Sequence, residues 1–457
     1  MPLVGARLGF KAAGVIAPVL LTPPAGLGWT PSFNIYRTSS GVYTTDFDPT
    51  TLRPAVTKNY NVDLTGNDGG SGQGTGTGAL ASISVAIAKS DGDKVTIEDG
   101  NVDGTIYRGT RGWNAVSPAV GRSLWITTRN GKRITSVKAA SVTPPTWTLV
   151  SGASYSTPVS GVTGAATDLK YRGSLNLFQR LSRATSATTT PAPGQYWHDT
   201  AGAVGTANLY YVTASDSRAL TDNLMVPPAS GNNGSINIST DVAPTIYIEN
   251  IDFVGGVPFN AQALTALTGR PKIVFINCTF QNSVGSEVAT TGSANGTSLL
   301  GGFDLYFVDC VAGGCLRDGF NRHSGDGSTT FGQARAFLLR CSTARNGFTT
   351  DTNNNAETQH ETSIAIALGC NFRNGNNRNV DYIDNSRGWI LDSDLGPSLA
   401  SDATGISVHS GGTAIIWLDG DRIVKSTYGD LMADAAGGIL TRNMDLTGLT
   451  TSNVGTY

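Results

Sequence analysis

Ile246-Tyr247-Ile248-Glu249-Asn250-Ile251-Asp252-Phe253 is answered further down the chain by Ile273-Val274-Phe275-Ile276-Asn277-Cys278-Thr279-Phe280. The pattern returns in Leu305-Tyr306-Phe307-Val308-Asp309-Cys310, in Phe337-Leu338-Leu339-Arg340-Cys341 and in Ile364-Ala365-Ile366-Ala367-Leu368-Gly369-Cys370-Asn371-Phe372. Trp389-Ile390-Leu391-Asp392-Ser393 and Ile415-Ile416-Trp417-Leu418-Asp419 extend it. Aligned positions 251, 278, 310, 341, 370, 393 and 419 lie 27, 32, 31, 29, 23 and 26 residues apart. A period of roughly 20–50 residues marks a solenoid. Coils of three strands, each about five residues long, account for the spacing. Leucine-rich repeats have a similar period but need a Leu/Asn consensus that is missing here. The predicted fold is all-β, a right-handed parallel β-helix.

Cys278, Cys310, Cys341 and Cys370 share one aligned position. Stacked strands lie roughly 4.8 Å apart, so the four thiols are expected to form an interior ladder. A tetrahedral metal site needs ligands converging on a point. A line of thiols fits small buried hydrophobes better. Cys315 lies off the ladder and reads as another buried thiol. An odd count of Cys with no short-range framework argues against a disulfide scaffold and fits assembly in a reducing cytoplasm.

Composition agrees with many short strands joined by turns. The 457 residues exceed one compact core. Gly numbers 57 and charged residues are only 14%, and no long helical pattern is visible. Hydrophobic residues reach 39% and come in bursts, which excludes disorder. A net charge of −2 with no basic stripe excludes nucleic acid as a partner. No apolar stretch reaches about 18 residues, so no membrane span is expected. The Gly-rich loop Gly66 to Gly78 lacks the ending of a P-loop and the spacing of a dinucleotide fingerprint. It reads as a flexible loop, and no cofactor or metal is expected.

Outward from the repeat, residues 241–423 form the regular coils and 424–457 a C-terminal cap. Residues 110–240 hold early coils with an inserted β-element. Residues 59–109 are the lead-in and cap, where Leu80, Ile83, Ala86 and Ile87 fall on one face of a short helix. Residues 1–58 are rich in Pro, Gly and Thr, with Trp29, Phe33, Tyr36, Tyr43 and Phe47 scattered among them. They read as an extended arm that docks onto something. Arg7 and Lys11 precede an apolar stretch, Ala12 to Leu21, in the manner of a secretion leader. Pro18, Pro23 and Pro24 break or follow it, and no small-x-small site closes it. The expectation is an arm held by a partner.

The order Val-Asp-x-Thr-Gly-Asn-Asp, Ser-Ile-x-x-Ala-Ile, Gly-Asp-x-Val-x-Ile, running from Val62 to Ile97, resembles the N-terminal segment of pectate-lyase-like β-helix proteins. In that family it caps the helix. Pro193-Gly194-Gln195-Tyr196-Trp197-His198-Asp199 with Leu209-Tyr210-Tyr211-Val212 is similar to a β-element inserted in phage-type β-helix proteins. His198 reads as structural.

Polar residues cluster after the ladder. Asp318, Asp351 and Asp381 lie 8, 10 and 11 residues past their Cys, and Asp402 lies 9 past Ser393. These four are expected on neighbouring coils of one flank. Near them stand His323, Glu357, His360, Glu361 and Asp384, with Arg322, Arg373 and Arg378. Carboxylates one coil apart repel, so one of them holds its proton more tightly. Such pairs suit acid–base cleavage of glycosides or hold a divalent cation. The competing reading is a solvated face rich in turns. Sugars stack on flat rings, and Tyr382, Phe348, Trp389 and Trp417 are the candidates. The two Trp sit inside strand runs and read as core.

Asp318-Gly319-Phe320-Asn321-x-His323, and the run from Gln359-His360-Glu361 through Asn371-Phe372-x-Asn374-Gly375 to Asn379-Val380-Asp381-Tyr382-Ile383, resemble segments of phage and prophage β-helix proteins, the tail spikes. The resemblance covers roughly residues 300–395 and marks Asp318, His323, His360 and Asp381. The calcium-site clusters and Arg pattern of true pectate lyases are not recognisable. The resemblance implies a homotrimeric virion protein whose arm docks on phage tail proteins. Its β-helix would bind host surface polysaccharide, with depolymerase activity an open point. The expected catalytic residues are Asp318, Asp351, Asp381, Asp384, Glu361, His323 and His360. The expected sugar contacts are Arg322, Arg373, Arg378, Tyr382 and Phe348. The rivals are a secreted polysaccharide lyase or hydrolase and a structural virion protein with no glycan site.

Overall fold

The computed structural model describes all residues except 1–16, 91–92, 100–104, 114–121, 142, 159–163, 174, 222–223, 228, 239–242, 264–266, 268, 285–293, 326–331 and 348–353. The chain winds into a parallel β-helix. Three sheets run along the solenoid, and each regular coil gives one strand to each. The first sheet runs from Asn59–Val62 to Val454–Thr456, the second from Asn232–Ile238 to Thr451–Ser452, and the third from Ile106–Arg108 to Arg422–Ile423. Among the described residues no helix is long and apolar enough to cross a membrane. The helix Ile83–Ser90 buries Ile83, Ala86 and Ile87 in the first coils, as the spacing predicts, whereas Leu80 precedes it and bridges to Val62.

Side chains alternate along each strand, and one set fills the bore. Phe253 stacks on Phe280 at 5.7 Å and Phe275 on Phe307 at 5.1 Å between ring centres. The pairs Thr279 with Val311, Val311 with Ser342 and Ser342 with Asn371 place the four Cys directly above one another. All five Cys are buried and free, as expected. Burial holds the Cys278 and Cys341 thiols well above the ordinary range, so they stay protonated and behave as small hydrophobes.

The residue before the ladder position turns the corner between the first and third sheets. It takes a left-handed conformation in Asn250, Asn277, Asp309, Arg340, Gly369, Asp392 and Gly420, with φ between 50 and 72°. Asn and Asp tolerate that region and Gly adopts it freely. The corner at Gly420 corrects the expected alignment of Asp419 with Ser393. Trp389 pairs with Trp417 and Asp394 with Arg422, so Asp421, not Asp419, lies under Ser393. The Ser393 N–H donates to Asp421 Oδ1 at 2.8 Å.

The outer face of the first sheet is also apolar, and the arm covers it. Leu27, Phe33, Ile35 and Tyr43 form a second core with Tyr247, Tyr306, Phe337, Ile366, Trp389 and Trp417. Phe33 lies 4.3 Å from Phe337, and Phe47 stacks on Tyr306 at 5.3 Å. Arg53 pairs with Glu249 at 2.6 Å, and the Tyr43 hydroxyl donates to Asp419 at 2.6 Å. The described part of the arm therefore docks on its own chain. Between Ile134–Val137 and Asn232–Ile238 the path leaves the coil and builds two small sheets at its side. Arg172 ties them back by pairing with Asp252, at 2.8 Å.

Gly388 stacks between Ala365 and Ile416, and a Cβ there would lie 2.0 Å from Cε2 of Tyr382. Overpacking of this kind costs about 1–3 kcal/mol. Gly388→Ala is expected to lower the urea midpoint accordingly. The loss should shrink in a Tyr382→Leu background. An equal loss in both backgrounds would place its cause elsewhere.

Candidate functional site

Seven strands of the second sheet position the site: β1 (Asn232–Ile238), β2 (Val257–Ala263), β3 (Thr297–Leu300), β4 (Phe320–His323), β5 (Glu357–Gln359), β6 (Arg378–Tyr382) and β7 (Ile406–Ser410). Parallel register turns every second residue outward in columns. Asn260 pairs with Ser298, Asn321 with Thr358, Thr358 with Asp381, and Asp381 with His409. The next column carries Gln262, Leu300, His323, His360 and Ile383. Loops bearing Asn295, Arg317, Asp318 and Asn355 wall one side. The result is a groove of about 440 Å³. From Asn260 to Asp381 it crosses four steps of roughly 4.8 Å each.

Two carboxylates sit in it, both buried and differently surrounded. Burial pushes the Asp318 carboxyl up to about 6. This happens although the Asn355 N–H donates to Oδ1 at 2.9 Å and Asn321 Nδ2 to Oδ2 at 3.0 Å. Burial also opposes ionisation of Asp381, but there it is outweighed. His409 Nδ1 lies 2.7 Å from Oδ1 and Arg378 Nη1 donates to Oδ2 at 2.8 Å, holding Asp381 below the usual carboxylate range. Asn355 links the pair, since its Nδ2 also donates to Asp381 Oδ2, at 3.3 Å.

At the groove's edge the His323 and His360 rings stack at 4.1 Å, 11° from parallel. Burial, with the His323 imidazole beside it, lowers His360 to about 4. Glu361 is also buried in part, yet its bond to His323 holds it below its ordinary range. This arrangement offers an acid that keeps its proton up to about pH 6, an ionised carboxylate and a neutral imidazole along one channel.

No family model matches the sequence, and no curated protein matches it. A solved structure described as a glycoside hydrolase is similar over 87% of this chain and 97% of its own, with a TM-score of 0.37 and 10% identity.

The structure brings Asp318, Asp381, His323, His360 and Arg378 together in the groove. Glu361 adjoins them through His323, and Asp384 lies one turn further out, accepting the Glu361 N–H at 3.0 Å. Five expectations are corrected. Arg322 and Tyr382 point into the bore and are fully buried, because their column pairs with Leu299 and Gln359. Arg322 forms an ion pair there with Glu357, which also faces inward. Arg373 follows the third-sheet strand Asn371–Phe372 and pairs with Asp394 at 2.7 Å. Asp402 is exposed, outside the groove, and accepts the Thr404 N–H at 3.0 Å. Asp351 and Phe348 lie outside the described residues. Trp389 and Trp417 sit beneath the arm. Asn260, Gln262, Ser298, Asn355, Arg317 and His409 were missed. Ordinary polar residues in strands carry no motif, but His409 follows Asp381 by 28 residues, the length of the coil that separates Ser393 from Asp421.

Proposed function

We propose that the chain binds a polysaccharide in the groove and hydrolyses its glycosidic bonds. Asp318 gives its proton to the leaving glycosidic oxygen as the C–O bond breaks, and water supplies the new bond. Asp381, ionised, either takes the proton of that water or attacks the sugar carbon first. The observation that carries this reading is the pair of carboxylates joined by Asn355 and shifted in opposite directions from the ordinary carboxylate value. Paired titratable groups pushed apart by their surroundings are how acid and base roles are divided. Amide and hydroxyl groups on the floor suit sugar hydroxyls.

Resemblance of the Asp318–His323 and Gln359–Ile383 segments to phage proteins supports a finer reading: a trimeric virion tail spike acting on host surface polysaccharide. Incubation with purified capsule and lipopolysaccharide should release new reducing ends without unsaturated sugars. Unsaturated ends would replace hydrolysis by elimination, and binding without cleavage would remove the enzyme. Sedimentation of the purified protein as a monomer would remove the trimeric spike.

A further inference from the structure

We propose that His323, His360 and Glu361 bind one divalent transition-metal ion at the edge of the groove. His323 closes β4 and His360 follows β5 on the next coil. Pairing of Arg322 with Gln359 sets the two imidazoles at the same step of adjacent coils. Their rings face each other at 4.1 Å. Glu361 adopts a left-handed backbone, φ 55°, which folds its carboxylate back over the pair. Its Oε1 lies 3.0 Å from His323 Nδ1, and its Oε2 accepts the Ser324 N–H at 2.9 Å. Asp384 fixes the bend by accepting the Glu361 N–H.

One donor atom from each of the three residues lies within 4.8 Å of the other two. Ligand bonds of about 2.0–2.2 Å place the donors of one ion about 3–4 Å apart. The His323–Glu361 separation already meets that, and the stacked His360 ring must turn about its side-chain torsions to aim its in-plane lone pair at the same point. Two imidazoles and one carboxylate favour zinc, cobalt, nickel, copper or iron(II) over the all-oxygen sites of calcium and magnesium. Three protein ligands leave positions open. Both His line the groove, so those positions face the channel. The site stands on its own donors, whether or not the groove cleaves glycans.

The test uses the full chain, stripped with a chelator and titrated calorimetrically with Zn²⁺ and, separately, Co²⁺. One equivalent is expected to bind. His360→Ala and Glu361→Gln should each weaken it by more than the roughly 10- to 100-fold that loss of a ligand's hydrogen-bonded support costs. His198→Ala should leave it unchanged. Undiminished binding in both site variants, or Zn²⁺ held no more tightly than Ca²⁺, would overturn the proposal. Should a variant fold poorly, electron paramagnetic resonance of bound Cu²⁺ on the unaltered chain decides. Hyperfine structure from two nitrogens supports the site, and oxygen-only ligation overturns it.

Discussion

Asp318→Asn lowers polysaccharide cleavage by about 10²- to 10⁴-fold, the contribution of a positioned general acid. The Asn side chain keeps nearly the same volume in the buried pocket, so glycan binding should survive. The pH profile of kcat/KM carries the finer test. A general acid works only while protonated, and burial holds Asp318 at about 6. Activity therefore falls as pH rises through about 6. Asp381 works only ionised, and its partners hold it below the usual carboxylate range. The acid limb is accordingly displaced to low pH, giving a bell with its alkaline side near pH 6. In Asp318→Asn the alkaline limb should vanish from the residual rate. A variant that kept full activity, or kept the same limb, would remove Asp318 from the reaction.

Glu357→Ala should destabilise the fold by about 3–5 kcal/mol, because it strands the Arg322 charge in a dry bore. Both side chains are fully buried and pair across adjacent coils. The same charges replaced together behave differently. Arg322→Met with Glu357→Leu removes both and is expected to recover most of the loss, since an apolar pair of similar volume often matches a buried ion pair. Urea unfolding of Arg322→Met, of Glu357→Leu and of the double variant completes the cycle. Additive losses would show that the two groups do not interact inside the coil.

These residues also show what the sequence could and could not tell. The repeat was legible because each coil returns the same buried column, down to a Cys at one position. The acidic flank was half legible. Asp318 and Asp381 stand out through their distance from the ladder. Arg322 and Tyr382 look just as polar in the sequence, but a shift of one residue along a strand exchanges outside for inside. Only the register with Leu299 and Gln359 fixes their direction. In the coil of Trp417 the apolar run ends at Asp419, which by sequence matches Ser393, whereas the turn at Gly420 puts Asp421 there. The near-continuous apolar runs at 246–248, 305–308 and 364–368 held a further message. Strands buried on both faces read that way, which is what the arm over the first sheet requires.

That arm changes how the molecule comes apart and comes together. A stack in which each layer touches only its neighbours frays from either end. Here a single strap runs lengthwise across the staves, fastened near Glu249 at one end and Asp419 at the other. Loosening one stave pulls on the strap and so on all the rest, which makes melting a joint event. Synthesis meets the opposite difficulty. Tyr43 emerges 376 residues before the Asp419 it must grip, so the strap is made well before it can be fastened, and until then a strip of bare hydrocarbon from Tyr247 to Trp417 faces water.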